Sequence, residues 1–223
     1  MVYCNTTEIE MTTTLSHDIR KYTTVVKKME TGTAPAASTA SVMTPPALLP
    51  ENMSPEQVIA FEKYKSGHNV FITGPGGTGK SALIREIYKY ATQREHNIQV
   101  CALTGCAAVM LGCKAKTIHS WSGIGLANGD IDRIVDRVDK NFFKKKEWRK
   151  TRTLIVDEVS MLSLQLFEVM NEIGKRMRRS SKPFGGLQVI FFGDYFQLPP
   201  VGDRTDPDTY RFCFRSEEHT SEL

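Results

Sequence analysis

Asn69-Val70-Phe71-Ile72-Thr73-Gly74-Pro75-Gly76-Gly77-Thr78-Gly79-Lys80-Ser81 passes from an apolar run into a glycine-rich loop. Its first five residues, β-branched and aromatic at the centre, read as a short buried strand. After Ser81, the residues Leu83, Ile84, Ile87 and Tyr88 recur at helical spacing. Gly74 to Ser81 fits the pattern G-x-x-x-x-G-K-[ST] without a mismatch. Closely spaced glycines let successive backbone N–H groups converge, and the helix that follows aims its N-terminus at the same point. Strand, loop and helix together form a cradle for phosphate. The ligand class is therefore a nucleoside triphosphate, with Gly74, Gly76, Gly77, Thr78 and Gly79 lining it. Lys80 supplies a charge toward the β- and γ-phosphates, and the Ser81 hydroxyl is a candidate ligand for Mg²⁺.

Further along, Leu154-Ile155-Val156 reads as a strand that ends in Asp157-Glu158. Paired acids at the carboxyl edge of a sheet suit metal-assisted hydrolysis. Asp157 would hold Mg²⁺ directly or through water, and Glu158 would orient and deprotonate the attacking water. A base for water favours a hydrolase over a small-molecule kinase, and no guanine-reading N-K-x-D sequence is present. A further strand, Gln188 to Phe192, leads into Gly193-Asp194-Tyr195-Phe196-Gln197-Leu198-Pro199-Pro200. There Gln197 is placed to hydrogen-bond the γ-phosphate or the water. Taken alone, the same residues read equally well as a turn stopped by a diproline.

These elements belong to an alternating pattern. Ile98 to Leu103 reads as another strand. A helix spans about Leu162 to Arg178, with Leu166, Phe167, Met170, Ile173 and Met177 on its apolar side. Ser54 can cap a helix opened by Pro55, with Val58, Ile59, Phe61 and Tyr64 turned inward and Gly67 as its stop. Such alternation predicts an α/β fold, a mostly parallel sheet with helices on both faces. Residues 1–50 differ: from Glu30 to Glu51 no charged residue intervenes, and Thr, Ala, Ser and Pro dominate. A segment so poor in large apolar groups is expected to be disordered, with at most a weakly patterned helix within Leu15–Met29.

The 223 residues suffice for one or two domains, and a net charge of +4 permits a nucleic-acid partner without requiring one. No apolar run approaches the roughly 20 residues of a membrane span. Five cysteines without C-x-x-C pairing read as free thiols of a reducing compartment, with nucleus, cytoplasm and viral replication site all compatible. A zinc site from Cys101, Cys106 and Cys113 matches no standard spacing.

The series of motifs resembles the Pif-type 5′-to-3′ DNA helicases of superfamily 1, in order, over roughly residues 48–214. Leu48 to Gln57 looks like the family's adenine-reading region, with Gln57 as the glutamine. Thr104-Gly105-Cys106-Ala107-Ala108 looks like a motif that touches the DNA backbone. Thr117-Ile118-His119-Ser120-Trp121-Ser122-Gly123-Ile124-Gly125 looks like the family's T-[IL]-H-S-[FW]-x-G-I-G stretch, which is unusually specific. Asp157 to Leu162 and Gly185 to Pro200 are similar to its acidic and glutamine motifs.

The resemblance implies a RecA-like ATPase domain over residues 51–214 that uses ATP and Mg²⁺ and contacts single-stranded DNA. Thr104, Gly105 and Thr117 would meet the DNA backbone, while His119 and Trp121 would offer faces for stacked bases. It implies roles in repair, recombination or telomere maintenance, and a monomer in the absence of DNA. A second RecA-like domain with catalytic arginines would complete such a motor, and residues 215–223 read like a translated adapter oligonucleotide. The basic runs Lys144–Lys146 and Arg176–Arg179 are either solvated faces or an attraction for DNA. A RecD- or relaxase-type helicase domain, a non-motor P-loop hydrolase or kinase, and a nucleotide-dependent binding module are the alternatives.

Overall fold

The computed structural model describes residues 53–125, 129–202 and 206–213, with the backbone of the dipeptides Val2–Tyr3 and Thr24–Val25. The rest of the low-complexity segment, Leu48 and the stretch 215–223 lie outside the described residues. The strands are β1 (Val2–Tyr3), β2 (Thr24–Val25), β3 (Val70–Thr73), β4 (Ile98–Ala102), β5 (Lys116–Thr117), β6 (Thr153–Asp157) and β7 (Gln188–Gly193). Five of them form a parallel sheet in the order β3-β7-β6-β4-β5. β1 pairs antiparallel and β2 parallel with β3.

The helices are α1 (Pro55–Lys65), α2 (Lys80–Gln93), α3 (Gly105–Leu111), α4 (Ile118–Ser122), α5 (Ile131–Lys140), α6 (Phe142–Lys150) and α7 (Leu164–Arg178). They divide between the two faces because side chains alternate along each strand. Ile155, Ile190, Phe192 and Val100 pack with Ala60, Phe61, Leu83, Ile84 and Ile87 from α1 and α2. Leu154, Val156, Val189, Phe191 and Cys101 pack with residues of α4 to α7, including Trp121, Val138, Trp148, Met170 and Ile173. Both surfaces of the central strands are thus dry, which explains their continuous apolar runs. The α/β architecture, a mostly parallel sheet with helices on both faces, is as the alternation predicts, and it is consistent with the RecA-like fold that the resemblance implies.

Local details depart from the sequence expectation. In α1, Ser54 and Gln57 form a reciprocal capping box, but Ile59 is exposed and Ala60 takes its place inside. The backbone at Thr24–Val25 is a strand where a helix was an option. Strand β5 and the short helices α3, α4 and α6 arise in segments that carry no long periodic pattern, whereas α5 has Ile131, Ile134, Val135 and Val138 at i, i+3, i+4, i+7 spacing, a signal the sequence offered. Gly174 of α7 is needed for close approach, since a Cβ there would lie 2.7 Å from the Phe184 backbone.

Tyr64, on the buried side of α1, lies edge-on to Tyr90 with ring centroids 6.0 Å apart. Burial first, and then the neighbouring Tyr90, push its phenol up to about 12. A phenol raised in the folded state costs nothing below its unfolded value near 10 and erodes stability as pH rises from there through about 12. Stability should therefore fall between those limits, by up to roughly 3 kcal/mol from this group, and the melting temperature with it. In thermal melts, Tyr64→Phe should flatten part of that fall.

Candidate active site

Parallel strands deliver all their following loops to one edge of the sheet. At that edge β3 ends in the phosphate loop, β6 in Asp157–Glu158, β7 in the turn bearing Gln197, and β4 and β5 in Thr104 and Thr117. Every sequence-predicted site residue beyond the phosphate loop, apart from Gln57, is carried by one of these loops or by the helix it opens.

The loop is braced internally. The Thr78 hydroxyl donates to Pro75 O at 2.9 Å, and Lys80 Nζ donates to Gly74 O at 2.5 Å and Pro75 O at 2.9 Å. Gly79 takes a left-handed conformation (φ 82°) and opens α2 without a side-chain cap. The amide groups of the first turn of α2 are thereby left directed at the loop's mouth, with Ser81 in that same turn. Gln57 lies behind the loop: its Nε2 donates to Thr78 O and Gly79 O, both at 3.3 Å, while its Oε1 accepts from Ser54 N. A Cβ on Gly79 would strike the Gln57 amide.

β7 lies between β3 and β6, so its end joins the two halves of the site. Gly74 N donates to Gly193 O at 3.2 Å. On its other side Gly193 has no room for a side chain: a Cβ would lie 2.8 Å from Val159 Cγ2, just after Glu158. The buried Asp194 carboxylate accepts from Phe196 N at 3.1 Å and shapes the turn, and its carbonyl accepts from Gln197 N. Gln197 Nε2 then comes within 3.9 Å of where a Cβ on Gly76 would stand. Asp194 went unnoticed in the sequence because a turn-setting carboxylate resembles any acid after a glycine.

Asp157 and Glu158 are turned apart. Glu158 has a left-handed backbone (φ 60°, ψ 33°), which costs a non-glycine residue about 1 kcal/mol and ends the strand's alternation. Its N–H donates to Asp157 Oδ1 at 2.9 Å. Burial raises the Asp157 carboxyl above its ordinary value, with the Glu158 N–H and Lys80 opposing the rise and the Glu158 charge adding to it. A buried carboxylate is a suitable partner for a hard divalent cation, and the Ser81 hydroxyl offers the same oxygen chemistry. The Glu158 carboxylate is held elsewhere: Thr104 Oγ1 donates to its Oε2 at 2.9 Å.

Thr104 follows β4 and Thr117 ends β5, neighbouring strands paired in the register Ala102↔Thr117. Each hydroxyl caps the helix it precedes, accepting from Ala107 N and Ser120 N. Gly105 is exposed, while Thr117 and His119 are half-buried; burial holds the His119 imidazole below its ordinary value. Trp121 corrects its expectation as a stacking face. It is 1% exposed and packs on Trp148 with ring centroids 4.5 Å apart, so neither face is open to a base. The Lys144 ammonium is committed to Ser120 O, Trp121 O and Glu147. Burial alone would raise the Glu147 carboxyl, but hydrogen bonds from Lys144 and Lys116 outweigh it and keep it low. Arg178 is spent on the carbonyls of Trp148, Thr151 and Gly185 at the opposite edge of the sheet. Among the described residues no three His, Cys, Asp or Glu side chains cluster as a metal site.

The profile described as PIF1-like helicase matches residues 52–218. The chain belongs to the PIF1-like helicase family. It is 40% identical over 155 residues to the ATP-dependent DNA helicase RRM3 of Saccharomyces cerevisiae, covering 69% of this chain and 21% of that protein. To the ATP-dependent DNA helicase PIF1 of the same species it is 40% identical over 171 residues, covering 76% of this chain and 20% of the relative. The chain thus spans about a fifth of the length of these curated relatives. Among solved structures, the Pif1 helicase from Candida albicans superposes with a TM-score of 0.67 at 38% identity, covering 74% of this chain and 36% of that one. A Bacteroides Pif1 helicase crystallised with ADP-AlF3 and single-stranded DNA superposes at 0.58 with 29% identity, covering 69% and 35%. The region matched is the ATPase region of PIF1-like helicases, and the RecD-type and non-motor alternatives are not favoured. No helix among the described residues is long and apolar enough to cross a membrane.

Proposed function

We propose that this chain binds MgATP at the sheet's carboxyl edge, hydrolyses it, and couples hydrolysis to single-stranded DNA held across the ends of β4 and β5. The observation that carries the reading is the convergence of the Gly74–Ser81 loop, Asp157–Glu158 and Gln197 on adjacent strands, with Gln197 reaching the loop at Gly76. The first-turn amides of α2 and the Lys80 ammonium would take the β- and γ-phosphates. Ser81 and Asp157 would hold Mg²⁺, which when bound neutralises charge on those phosphates. Glu158 would receive a proton from the attacking water, and the Gln197 amide would sense the γ-phosphate or orient that water.

Gln57 supports the loop from behind. For it to read adenine, as the family resemblance implies, its amide would have to exchange partners it already has. Thr104, Gly105, Thr117 and His119 would meet the DNA, their strand ends being contiguous and accessible. Phe196, which is 99% exposed, and the exposed Leu198 and Val201 flank Gln197 and would be covered by a second domain. In the intact protein this engine would drive 5′-to-3′ movement, and the described chain would be a monomer without DNA.

ATP turnover by the chain, measured with and without a thymidine 30-mer, tests the reading. Mg²⁺-dependent turnover that responds to the oligonucleotide is expected. Turnover indifferent to DNA would favour a non-motor hydrolase.

A further inference from the structure

We propose that Thr104 restrains the catalytic base: its hydroxyl holds Glu158 turned away from the phosphate loop, and a DNA strand that takes up that hydroxyl releases it. The inference rests on the proposed hydrolytic function and adds to it a positioning residue with a defined direction of effect.

Three observations combine. The first is the hydrogen bond itself, from Thr104 Oγ1 to Glu158 Oε2 at 2.9 Å, between residues 54 apart in sequence. The second is the sheet order. Thr104 follows β4, which lies on one side of β6, whereas β7 and then β3 with its loop lie on the other. A carboxylate drawn to Thr104 is therefore drawn away from the γ-phosphate position. The third is proton counting. A threonine hydroxyl has one proton to donate and lone pairs that accept. Here the lone pairs receive Ala107 N–H at 3.2 Å and the single proton goes to Glu158. A DNA phosphate oxygen approaching beside the exposed Gly105 is an acceptor that competes for that same proton. Donation to the phosphate leaves Glu158 without its partner and free to swing toward the loop. The exchange is reciprocal by linkage: whatever draws Glu158 toward the nucleotide makes the Thr104 proton available to DNA.

The alternative role for the bond, holding Glu158 in its productive place, predicts the opposite sign. The experiment therefore compares ATP turnover by the chain with Thr104→Val, Thr104→Asp, Thr104→Ser and Glu158→Gln, each with and without a thymidine 30-mer. Asp caps a helix as Thr does but, ionised, has no proton to give. It keeps the test valid should Val weaken the fold. Loss of the donated proton should raise DNA-free kcat by roughly five- to twenty-fold, the lower part of ordinary coupling strengths, at unchanged KM for ATP. It should also shrink the ratio of turnover with DNA to turnover without it. Thr104→Ser should match the parent on both measures. The proposal is overturned if neither Val nor Asp raises the DNA-free rate, or if their DNA response ratio equals that of the parent. Glu158→Gln separates the two levels of the account. If it is inactive while the Thr104 variants behave as the parent, only the restraint fails; if it turns over ATP normally, the hydrolytic assignment fails.

Discussion

Glu158→Gln should leave MgATP affinity within about twofold of the parent and lower turnover by roughly 10²–10⁴-fold, the usual worth of a positioned general base. The amide keeps the size of the side chain and can still accept from the Thr104 hydroxyl that now binds Oε2. It cannot take a proton from water. Since Glu158 N, and not its side chain, donates to Asp157, the substitution also leaves the arrangement of Asp157 intact. Equilibrium titration with a fluorescent ATP analogue, beside steady-state phosphate release, separates the two quantities. A fall in both by the same factor would mean that Glu158 serves binding and not proton transfer.

Lys80→Ala should act earlier, at binding. The ammonium donates to Gly74 O and Pro75 O across the loop, a position from which it can transfer to phosphate oxygens without leaving the site. Charge-assisted hydrogen bonds of this kind contribute about 1.5–3 kcal/mol each, which corresponds to a roughly 10–100-fold loss of MgATP affinity. Turnover should fall further, by roughly 10²–10³ beyond the affinity loss, because charge develops on the transferring group and its leaving oxygen. Folding should be little affected, for the loop retains the Thr78–Pro75 and Gly74–Gly193 hydrogen bonds. A variant with normal affinity in the same titration would contradict the role given to Lys80.

The phosphate loop and the four long strands were legible because their chemistry is local. Glycines, a lysine and a serine at fixed spacing, and apolar runs buried on both faces, leave few other readings. What the sequence hid depends on neighbours distant along the chain. Strand β5 is two residues long and exists through its pairing with β4. Trp121 looked available for stacking because aromatic residues in a polar stretch suggest a binding face, yet Trp148, 27 positions later, covers it. Ile59 is the larger apolar residue, yet it is exposed while Ala60 packs in the cluster with Leu83, Ile84 and Ile87 of α2. The link from Thr104 to Glu158 could not be read from either motif alone. It follows from β4 lying beside β6, with Ala102 opposite Asp157.

The central claim is that the loop after β3 and the acids after β6 form one hydrolytic site. Single-turnover conversion of bound Mg-[γ-³²P]ATP by the chain and by Glu158→Gln tests it most directly. The account predicts that both retain nucleotide, that the parent converts it slowly to ADP and phosphate, and that the variant still holds ATP when the parent has finished. Equal conversion by the two chains, or no nucleotide retained by the parent, would contradict it.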